Sequence, residues 1–431
     1  MAIPFWLTKL LVRTRLARFA PRARRLSDGG TAYLKYYSDR VLAAPSEDLL
    51  DPAVVPPALN FDVLDLNQPT PDAPPARGAI SLGRTDALCA PGRTPVTLPE
   101  LARAVADRAK NAGRNLNPAT DILATHGATG AFAAALDAFV NPGDRVVVFD
   151  PTSPLFNLGL KSRHANICRV STWGEDGRLR YIAKAFERAM RGAKLLVLCD
   201  PANPSGACLA NEDLEHIAWI AGGYDVLVYL DESFAAFRPD RVRNLAAMPG
   251  AERVALTAGS VSQEFGQPGV RVGWLAGPRH LVRACGLTAN LSAPYVPPVC
   301  QQAAAKLLAE PANGEPASRV QSKRQYALDR LRAMGLEPET PGGGYFVWVP
   351  VSGLGLMVGA GLAFGPSGAG HVRVSFAGDD GRLREGLSRM AAFVERLKNP
   401  TAPMPKVEEP GSEVAEEKPE ADEAKPAFSR V

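Results

Sequence analysis

The chain has 431 residues, of which 46% are hydrophobic and 22% charged, a balance typical of a folded globular protein. Its formal net charge of +4 is too small to predict a nucleic-acid-binding protein. The six cysteines are scattered and form no cluster with the five histidines. We therefore expect no metal site and a reducing, cytoplasmic location.

The two ends of the chain differ from the middle in composition. Residues 1–30 mix apolar and basic side chains and predict a basic N-terminal arm. This arm is either an amphipathic helix in weak contact with an anionic membrane surface, or a helix packed on the protein or a partner subunit. Its basic residues interrupt the apolar run, which is typical of neither a signal peptide nor a membrane span. Residues 399–431, rich in Glu, Pro, Ala and Lys, predict a disordered acidic tail.

Short apolar runs and helical patterns alternate through the first part of the folded region. Continuous apolar runs separated by helices favour an α/β fold, with a mostly parallel sheet covered by helices on both faces. In such sheets ligands bind at the carboxyl ends of the strands. Strands are predicted at 121–125, 144–149, 167–171, 194–199, 226–230 and 253–258, and helices at 98–112, 128–140, 155–161, 183–190 and from 212.

A second pattern begins near Pro297 and indicates a smaller α+β domain. Its elements are helices at 301–309 and 318–334, strands at 345–351 and 371–376, and a last helix at 381–398. We therefore predict a large domain at 66–290, a small domain at 291–398, and a segment at 31–65 that packs with the small domain.

The turns that follow the strands contain residues able to bind an anion. "THGATGAF" opens a helix, where free amide groups and the positive helix end favour a phosphate, although many helices begin with small residues. "GSVSQEFGQPGVRVGW" combines two serines and an arginine that can meet one phosphate. The candidate ligands are Gly127, Ala128 and Thr129 in the first stretch, and Ser260, Ser262 and Arg271 in the second.

Three further polar residues stand out. Asp231 ends a buried strand in "YLDESF", where a carboxylate needs a partner unless it caps a helix. Asn203, in "NPSG", belongs to an ordinary turn by composition. Arg373, in "HVRVSF", is by itself typical of a surface salt bridge.

In their order and spacing these motifs resemble the class I and II aminotransferases, which are fold-type I pyridoxal-phosphate-dependent enzymes. The resemblance covers roughly residues 60 to 398. It implies the fold-type I transferase fold, a homodimer, and amino-group transfer to or from a small amino acid or keto acid. The cofactor it implies is pyridoxal 5′-phosphate or pyridoxamine phosphate.

The resemblance also implies a role for each candidate residue. The amides of residues 127–129 would hold the cofactor phosphate. Ser260, Ser262 and Arg271 would neutralise that phosphate. Asn203 would bond to the ring hydroxyl, Asp231 would pair with the pyridine nitrogen, and Arg373 would hold the substrate carboxylate.

The sequence departs from the family pattern at several positions. Gln263 occupies the position of the catalytic lysine, and its amide is neither nucleophilic nor basic, so we expect the cofactor to be held without a covalent bond. Phe234 replaces a tyrosine, and Ser153 replaces an aromatic residue that stacks on the ring. The chain between Trp348 and Phe364 is shorter than in the family, as though a helix were missing. The segment "CAPGRTPVTLPEL" lacks the tyrosine that family members send to the neighbouring subunit.

Three functions remain open at this point. The first is an aminotransferase-like enzyme in which another group moves the proton. The second is a catalytically silent protein that binds the cofactor or an amino-acid adduct of it. The third is a scaffold or interaction protein that has kept only the fold.

Overall fold

A computed structural model describes residues 97–238, 244–293, 295–309, 316–351 and 359–398, together with Ser38. The predicted arm and tail lie outside these residues, as does all of 31–65 except Ser38. The predicted division of the chain into domains stays a prediction. None of the described helices is long and apolar enough to cross a membrane.

One sheet of eight strands forms the centre of the described structure. Its strands are β1 (Ile122–Thr125), β2 (Arg145–Asp150), β3 (Asn166–Glu175), β4 (Arg178–Tyr181), β5 (Leu195–Cys199), β6 (Leu227–Asp231), β7 (Ala255–Ser260) and β8 (Gly273–Ala276). Their order across the sheet is β1-β8-β7-β6-β5-β2-β3-β4. The central neighbours β3, β2, β5, β6 and β7 pair in parallel, whereas β1, β4 and β8 pair antiparallel. The predicted mostly parallel α/β sheet is therefore confirmed.

Helices cover this sheet. They also make up most of the described residues between 298 and 398, which form the second part of the chain. They are α1 (Pro99–Asn111), α2 (Gly127–Phe139), α3 (Pro154–Ser162), α4 (Ala183–Met190), α5 (Asn211–Tyr224), α6 (Val261–Glu264), α7 (Arg279–Ser292), α8 (Pro298–Ala309), α9 (Pro316–Ala333), α10 (Gly359–Leu362) and α11 (Asp380–Lys398). Two more strands, β9 (Phe346–Pro350) and β10 (His371–Ser375), pair antiparallel in a separate sheet.

Both faces of the central sheet are buried, which explains the continuous apolar runs of its strands. In β2, Val146 and Val148 face a core cluster built with α2, α3 and α7. Val147 and Phe149, which alternate with them, face a second cluster built with α4 and α5. A strand between two helical layers needs apolar residues at every position rather than at every second one.

The Phe132 ring is a central contact of the first cluster. It is 2% exposed, and its centroid lies 4.8 Å from the Phe156 ring and 5.1 Å from the Tyr229 ring. We expect Phe132→Ala to lower the free energy of unfolding by about 3–5 kcal/mol, because it leaves a cavity between α2 and the sheet. Denaturant unfolding of Phe132→Ala beside Phe393→Ala, at a ring that is 51% exposed, checks this. Equal losses in the two variants would contradict the assignment of Phe132 to the core.

Five of the named elements were not predicted, namely the strands β4 and β8 and the helices α6, α7 and α10. The strand β8 lies in the stretch interpreted only as a glycine-rich loop, and β4 is a short return strand whose polar residues hide its pairing with β3. The helix α7 also escaped prediction, although its buried residues pack against α2. The effect of β8 is to place an antiparallel strand between β1 and β7, so the sheet is less uniformly parallel than its apolar runs suggest.

Strand pairing brings the predicted site turns to one edge of the sheet. Asp231 at the end of β6 is opposite Cys199 of β5 and Ala258 of β7. Ser260 at the end of β7 is opposite Gly273 of β8, which is also opposite Thr125 at the end of β1. The turns after β1, β5, β6 and β7 therefore meet at this edge, where doubly covered sheets bind their ligands.

Candidate functional site

The start of α2 is suited to an anion. Gly127, its first residue, has a φ of +70°, a conformation that favours glycine. The helix has no acidic residue in its first turn and no side-chain hydrogen bond to its cap. Ala128 and Thr129 follow in the same turn, and their side chains are half-buried and exposed respectively. The first amides and the positive end of the helix dipole are thus available to a negatively charged group.

The Arg271 guanidinium lies against this helix start. Its Nη2 donates to the His126 carbonyl (3.2 Å), and its Nη1 donates to the Pro268 carbonyl (3.1 Å). A Cβ placed on Gly127 would lie 2.8 Å from Nη2, so the guanidinium touches the backbone there. Any residue larger than glycine at position 127 would push Arg271 away.

This corner of the site carries uncompensated positive charge. Within the described ranges, no carboxylate lies within ion-pair distance of Arg271. Burial lowers the pKa of His126, and the neighbouring Arg271 charge lowers it further. A cation beside a positive helix end is stable when an anion lies between them, so the geometry favours a phosphate or a carboxylate.

The two serines and Gln263 form a second contact group. Ser260 and Ser262 are buried. The Ser260 hydroxyl accepts a hydrogen bond from the Ser262 amide (3.4 Å) and donates to Gln263 Oε1 (3.0 Å). The next residue, Glu264, is fixed by two hydrogen bonds from Arg108 (3.0 and 2.7 Å). The Gln263 side chain therefore points at Ser260, one of the residues predicted to bind the phosphate, and the side chain of the next residue, Glu264, is tied to α1.

Asp231 is a buried carboxylate, and few neighbouring groups stabilise its negative charge. Its Oδ1 accepts a hydrogen bond from the Ser233 amide (2.9 Å), and no cation lies within ion-pair distance in the described part of the chain. Burial raises the pKa of Asp231, and the hydrogen bonds from Ser233 oppose that rise. A protonated nitrogen on a ligand is the natural partner for such a carboxylate.

The phenyl ring of Phe234 brings no polar group to the site. It is buried and packs edge-on against Tyr345 and Phe346, with centroid distances of 5.3 and 5.4 Å. The hydroxyl that a tyrosine would supply here is absent, and the ring instead joins the core of the second part of the chain.

Arg373 reaches across to the turn after β5. Its Nη1 donates to Asn203 Oδ1 (2.8 Å), a contact between residues 170 positions apart. Its Cζ lies 4.2 Å from the Phe346 ring and 5.0 Å from the Phe364 ring. Among the described residues no carboxylate pairs with Arg373, so nothing there forms the surface salt bridge considered as its alternative role. Its remaining N–H groups are able to bind a ligand carboxylate as a bidentate pair.

The predicted site residues thus fall into separate groups around one edge of the sheet. Asp231 is connected to these groups by the pairing of β6 with β5 and β7, not by a hydrogen bond of its side chain. Ser153 lies directly before α3, and its side chain makes no hydrogen bond to the start of that helix. Sequence reasoning missed His126, whose carbonyl anchors Arg271, and Tyr229, whose hydroxyl donates to the Ala128 carbonyl (3.4 Å). The groups are Gly127 with Arg271, Ser260 with Ser262 and Gln263, and Asn203 with Arg373.

Glu232, the residue after Asp231, gives the fold a pH dependence. Its Oε1 accepts a hydrogen bond from Asn244 Nδ2 (2.6 Å). Burial raises its pKa from 4.5 to about 7, against the opposing charge of Arg114. Between these values the folded chain binds more protons than the unfolded chain, so the free energy of unfolding falls as pH rises through this window.

We expect Glu232→Gln to flatten this fall, because the amide cannot ionise. The difference in slope between wild type and variant should reach on the order of 1 kcal/mol per pH unit at its steepest. Urea unfolding at a series of pH values across the window measures it. Glu252→Gln, at an exposed carboxylate, is the matched control and should keep the wild-type slope. A Glu232→Gln profile parallel to that of wild type would contradict the prediction.

Comparisons of the sequence and of the structure with known proteins all find aminotransferases. The sequence profile "Aminotransferase class I and II" matches residues 84–390. The LL-diaminopimelate aminotransferase of Desulforudis audaxviator is 28% identical over 364 residues, which cover 79% of this chain and 92% of that protein. The aspartate aminotransferase of Pyrococcus abyssi is 26% identical over 325 residues, covering 70% and 84%. The solved structure of the aromatic aminotransferase from Pyrococcus horikoshii superposes with a TM-score of 0.69 at 26% identity, covering 77% of this chain and 95% of that one.

Proposed function

We propose that this chain, which belongs to the aminotransferase class I and II family, binds pyridoxal 5′-phosphate or pyridoxamine phosphate without a covalent bond and is catalytically silent. Members of the family transfer amino groups with pyridoxal phosphate as their cofactor. The observation that carries the proposal is the combination of an uncompensated Arg271 at the start of α2 with a glutamine at position 263.

The phosphate end of the cofactor fits the residues present. A phosphate between Arg271 and the first turn of α2 would receive backbone N–H groups and neutralise the guanidinium. Ser260 at the end of β7 and Ser262 in α6 would add hydroxyl contacts. The Ser260 hydroxyl can donate only one hydrogen bond, and in this structure it donates to the Gln263 oxygen. On binding of the cofactor, Ser260 would donate to the phosphate instead.

The ring end fits as well. Asp231 would hold the pyridine nitrogen in its protonated form, which relieves the cost of a buried carboxylate without a cation. Asn203 would meet the ring hydroxyl through its amide nitrogen, because its oxygen is bonded to Arg373. When bound, the cofactor would supply a ring that accepts electrons from the carbon next to an amino group.

Gln263 separates this chain from a working aminotransferase. A lysine at this position both attaches the cofactor and moves a proton between substrate and cofactor, and loss of a proton-transfer group alone costs about 100- to 10,000-fold in rate. The glutamine amide can do neither, whereas its oxygen and nitrogen are suited to hydrogen bonds with a noncovalent ligand. Arg373 would hold the carboxylate of a small amino-acid-like ligand beside the cofactor.

A titration of the purified protein with pyridoxal phosphate, followed by borohydride reduction and mass spectrometry, tests the proposal. We expect a bound chromophore that leaves no covalent adduct after reduction, and no amino-group transfer with a panel of amino acids. A reduced adduct would mean that another lysine attaches the cofactor. Turnover would mean that another group moves the proton. Absence of binding would leave only a scaffold role.

Two further features belong to the same proposal. The chain would form a homodimer, as fold-type I aminotransferases typically do. Sedimentation at several protein concentrations measures this. Contact of residues 1–30 with a membrane surface and a cytoplasmic location stay predictions from the sequence.

A further inference from the structure

A short segment from the second part of the chain is tied to the turn between β2 and α3. The Thr152 amide donates to the Phe364 carbonyl (2.8 Å). The Asn157 side-chain amide donates to the Ala363 carbonyl (3.1 Å). Two hydrogen bonds to consecutive carbonyls fix the backbone of this segment against the carboxyl end of β2, next to Ser153.

Asp150, the last residue of β2, fixes the same segment from its other side. Its buried Oδ2 accepts hydrogen bonds from the Ser367 amide (3.1 Å) and the Ser367 hydroxyl (2.8 Å). Arg169 Nη1 lies 3.7 Å from its Oδ1. Gly365, between the two ties, has a φ of +128°, and a Cβ there would collide with Asp150 Oδ1. Asp150 therefore needs glycine at 365 and holds the chain on its C-terminal side, whereas Thr152 and Asn157 hold it on its N-terminal side.

These ties place the Phe364 ring beside the candidate site. The ring is buried and packs edge-to-face with the Trp348 ring, with the two centroids 5.4 Å apart. Its centroid lies 5.0 Å from Arg373 Cζ, and Arg373 in turn bonds to Asn203. The turn at 150–154, which the segment covers, reads Asp-Pro-Thr-Ser-Pro and contains no aromatic side chain.

We propose that Phe364 supplies the aromatic face against which the ring of the bound cofactor packs, and that Asp150 and Ser367 position it there. A flat heteroaromatic ring gains most from an offset or edge-on aromatic neighbour, which Ser153 cannot provide. The hydrogen bond from Thr152 to the Phe364 carbonyl, and those from Ser367 to Asp150, hold Phe364 next to the turn that contains Ser153. This inference rests on the proposed binding of pyridoxal phosphate.

The test compares the dissociation constant of pyridoxal phosphate in wild type, Phe364→Leu and Phe364→Tyr. We expect Phe364→Leu to weaken binding by about 3- to 10-fold and to reduce the induced circular dichroism of the bound cofactor, and Phe364→Tyr to keep both near wild type. The control is Phe393→Leu, at an exposed ring on α11. An unchanged dissociation constant in Phe364→Leu overturns this inference alone, whereas absence of binding by wild type overturns it together with the proposed function.

The single variant Ser367→Ala, together with the double variant Phe364→Leu/Ser367→Ala, tests the positioning role. Ser367→Ala removes one hydroxyl and should weaken pyridoxal phosphate binding and its induced circular dichroism, by less than Phe364→Leu does. In the double variant Ser367→Ala should add nothing, because the ring that it positions is gone. Full additivity, or Ser367→Ala behaviour identical to wild type, overturns the positioning role.

Discussion

Replacing Gln263 by lysine is expected to convert a reversibly bound cofactor into a covalently attached one. The Gln263 side chain already reaches the Ser260 hydroxyl, so the longer lysine would extend past it into the same site. Partial burial of position 263 favours the neutral, nucleophilic amine. Borohydride would then reduce the bond between this amine and the cofactor aldehyde to a stable secondary amine. Mass spectrometry should find close to one cofactor per chain, on the peptide that contains position 263.

The matched control places a lysine elsewhere in the same loop. Gln267→Lys adds the same charge and length four positions further on, at the start of the short turn that precedes Arg271. We expect no specific adduct there, because Ser260 forms its described side-chain hydrogen bonds with Gln263 and Ser262 and not with Gln267. Equal labelling of both variants would show that the cofactor reacts without being held at the site. Amino-group transfer gained by Gln263→Lys would show that Asp231, Asn203 and Arg373 are still competent.

The sheet could be predicted from the sequence because its central strands are buried on both faces. The run from Leu195 to Cys199 reads as a strand without knowledge of its neighbours, since every residue in it is apolar. The strand β8 could not be recognised in the same way. Gly273 and Gly277 bound it, so its local pattern is that of a loop, and only its pairing with β1 and β7 makes it a strand.

The positions of the candidate site residues were predictable, but their partners were not. Asp231 ends β6 and Asn203 follows β5, and parallel strands end at a common edge, so the sequence predicts that the two residues lie near one another. The contacts of Asn203 with Arg373 and of Thr152 with Phe364 join residues far apart in the chain. They depend on how the second part of the chain docks on the sheet, which no local pattern encodes.

The hydrogen bond between Ser260 and Gln263 joins residues that are close in the chain, but it could not be predicted either. The sequence showed that Gln263 lacks lysine chemistry, which is a property of the side chain alone. Where the amide would point depended on the short helix α6, which is tied to α1 by two hydrogen bonds between the side chains of Arg108 and Glu264. The structure therefore adds a physical role for Gln263, which accepts a hydrogen bond from Ser260, a residue predicted to bind the phosphate.

Arg271→Gln is expected to weaken pyridoxal phosphate binding by about 10- to 100-fold, the usual cost of losing charge-assisted hydrogen bonds to an anion. The rise in Tm that the cofactor produces in wild type should be lost at the same cofactor concentration. Arg188→Gln removes an equal charge from an exposed position on α4 and should leave both quantities unchanged.

A readout without the cofactor separates lost binding from lost structure in Arg271→Gln. The Arg271 charge helps to lower the pKa of His126, so an NMR titration should show that pKa rising in the variant while burial still holds it below its ordinary value. The folded protein without cofactor should lose little stability, because Arg271 lies against a positive helix end and has no carboxylate within ion-pair distance in the described ranges. A variant that keeps wild-type affinity for pyridoxal phosphate, with the His126 pKa raised as expected, would show that the anion binds away from the start of α2. In that case the phosphate contacts assigned to Gly127 and its neighbours would be wrong, whatever the fate of the ring contacts at Asp231.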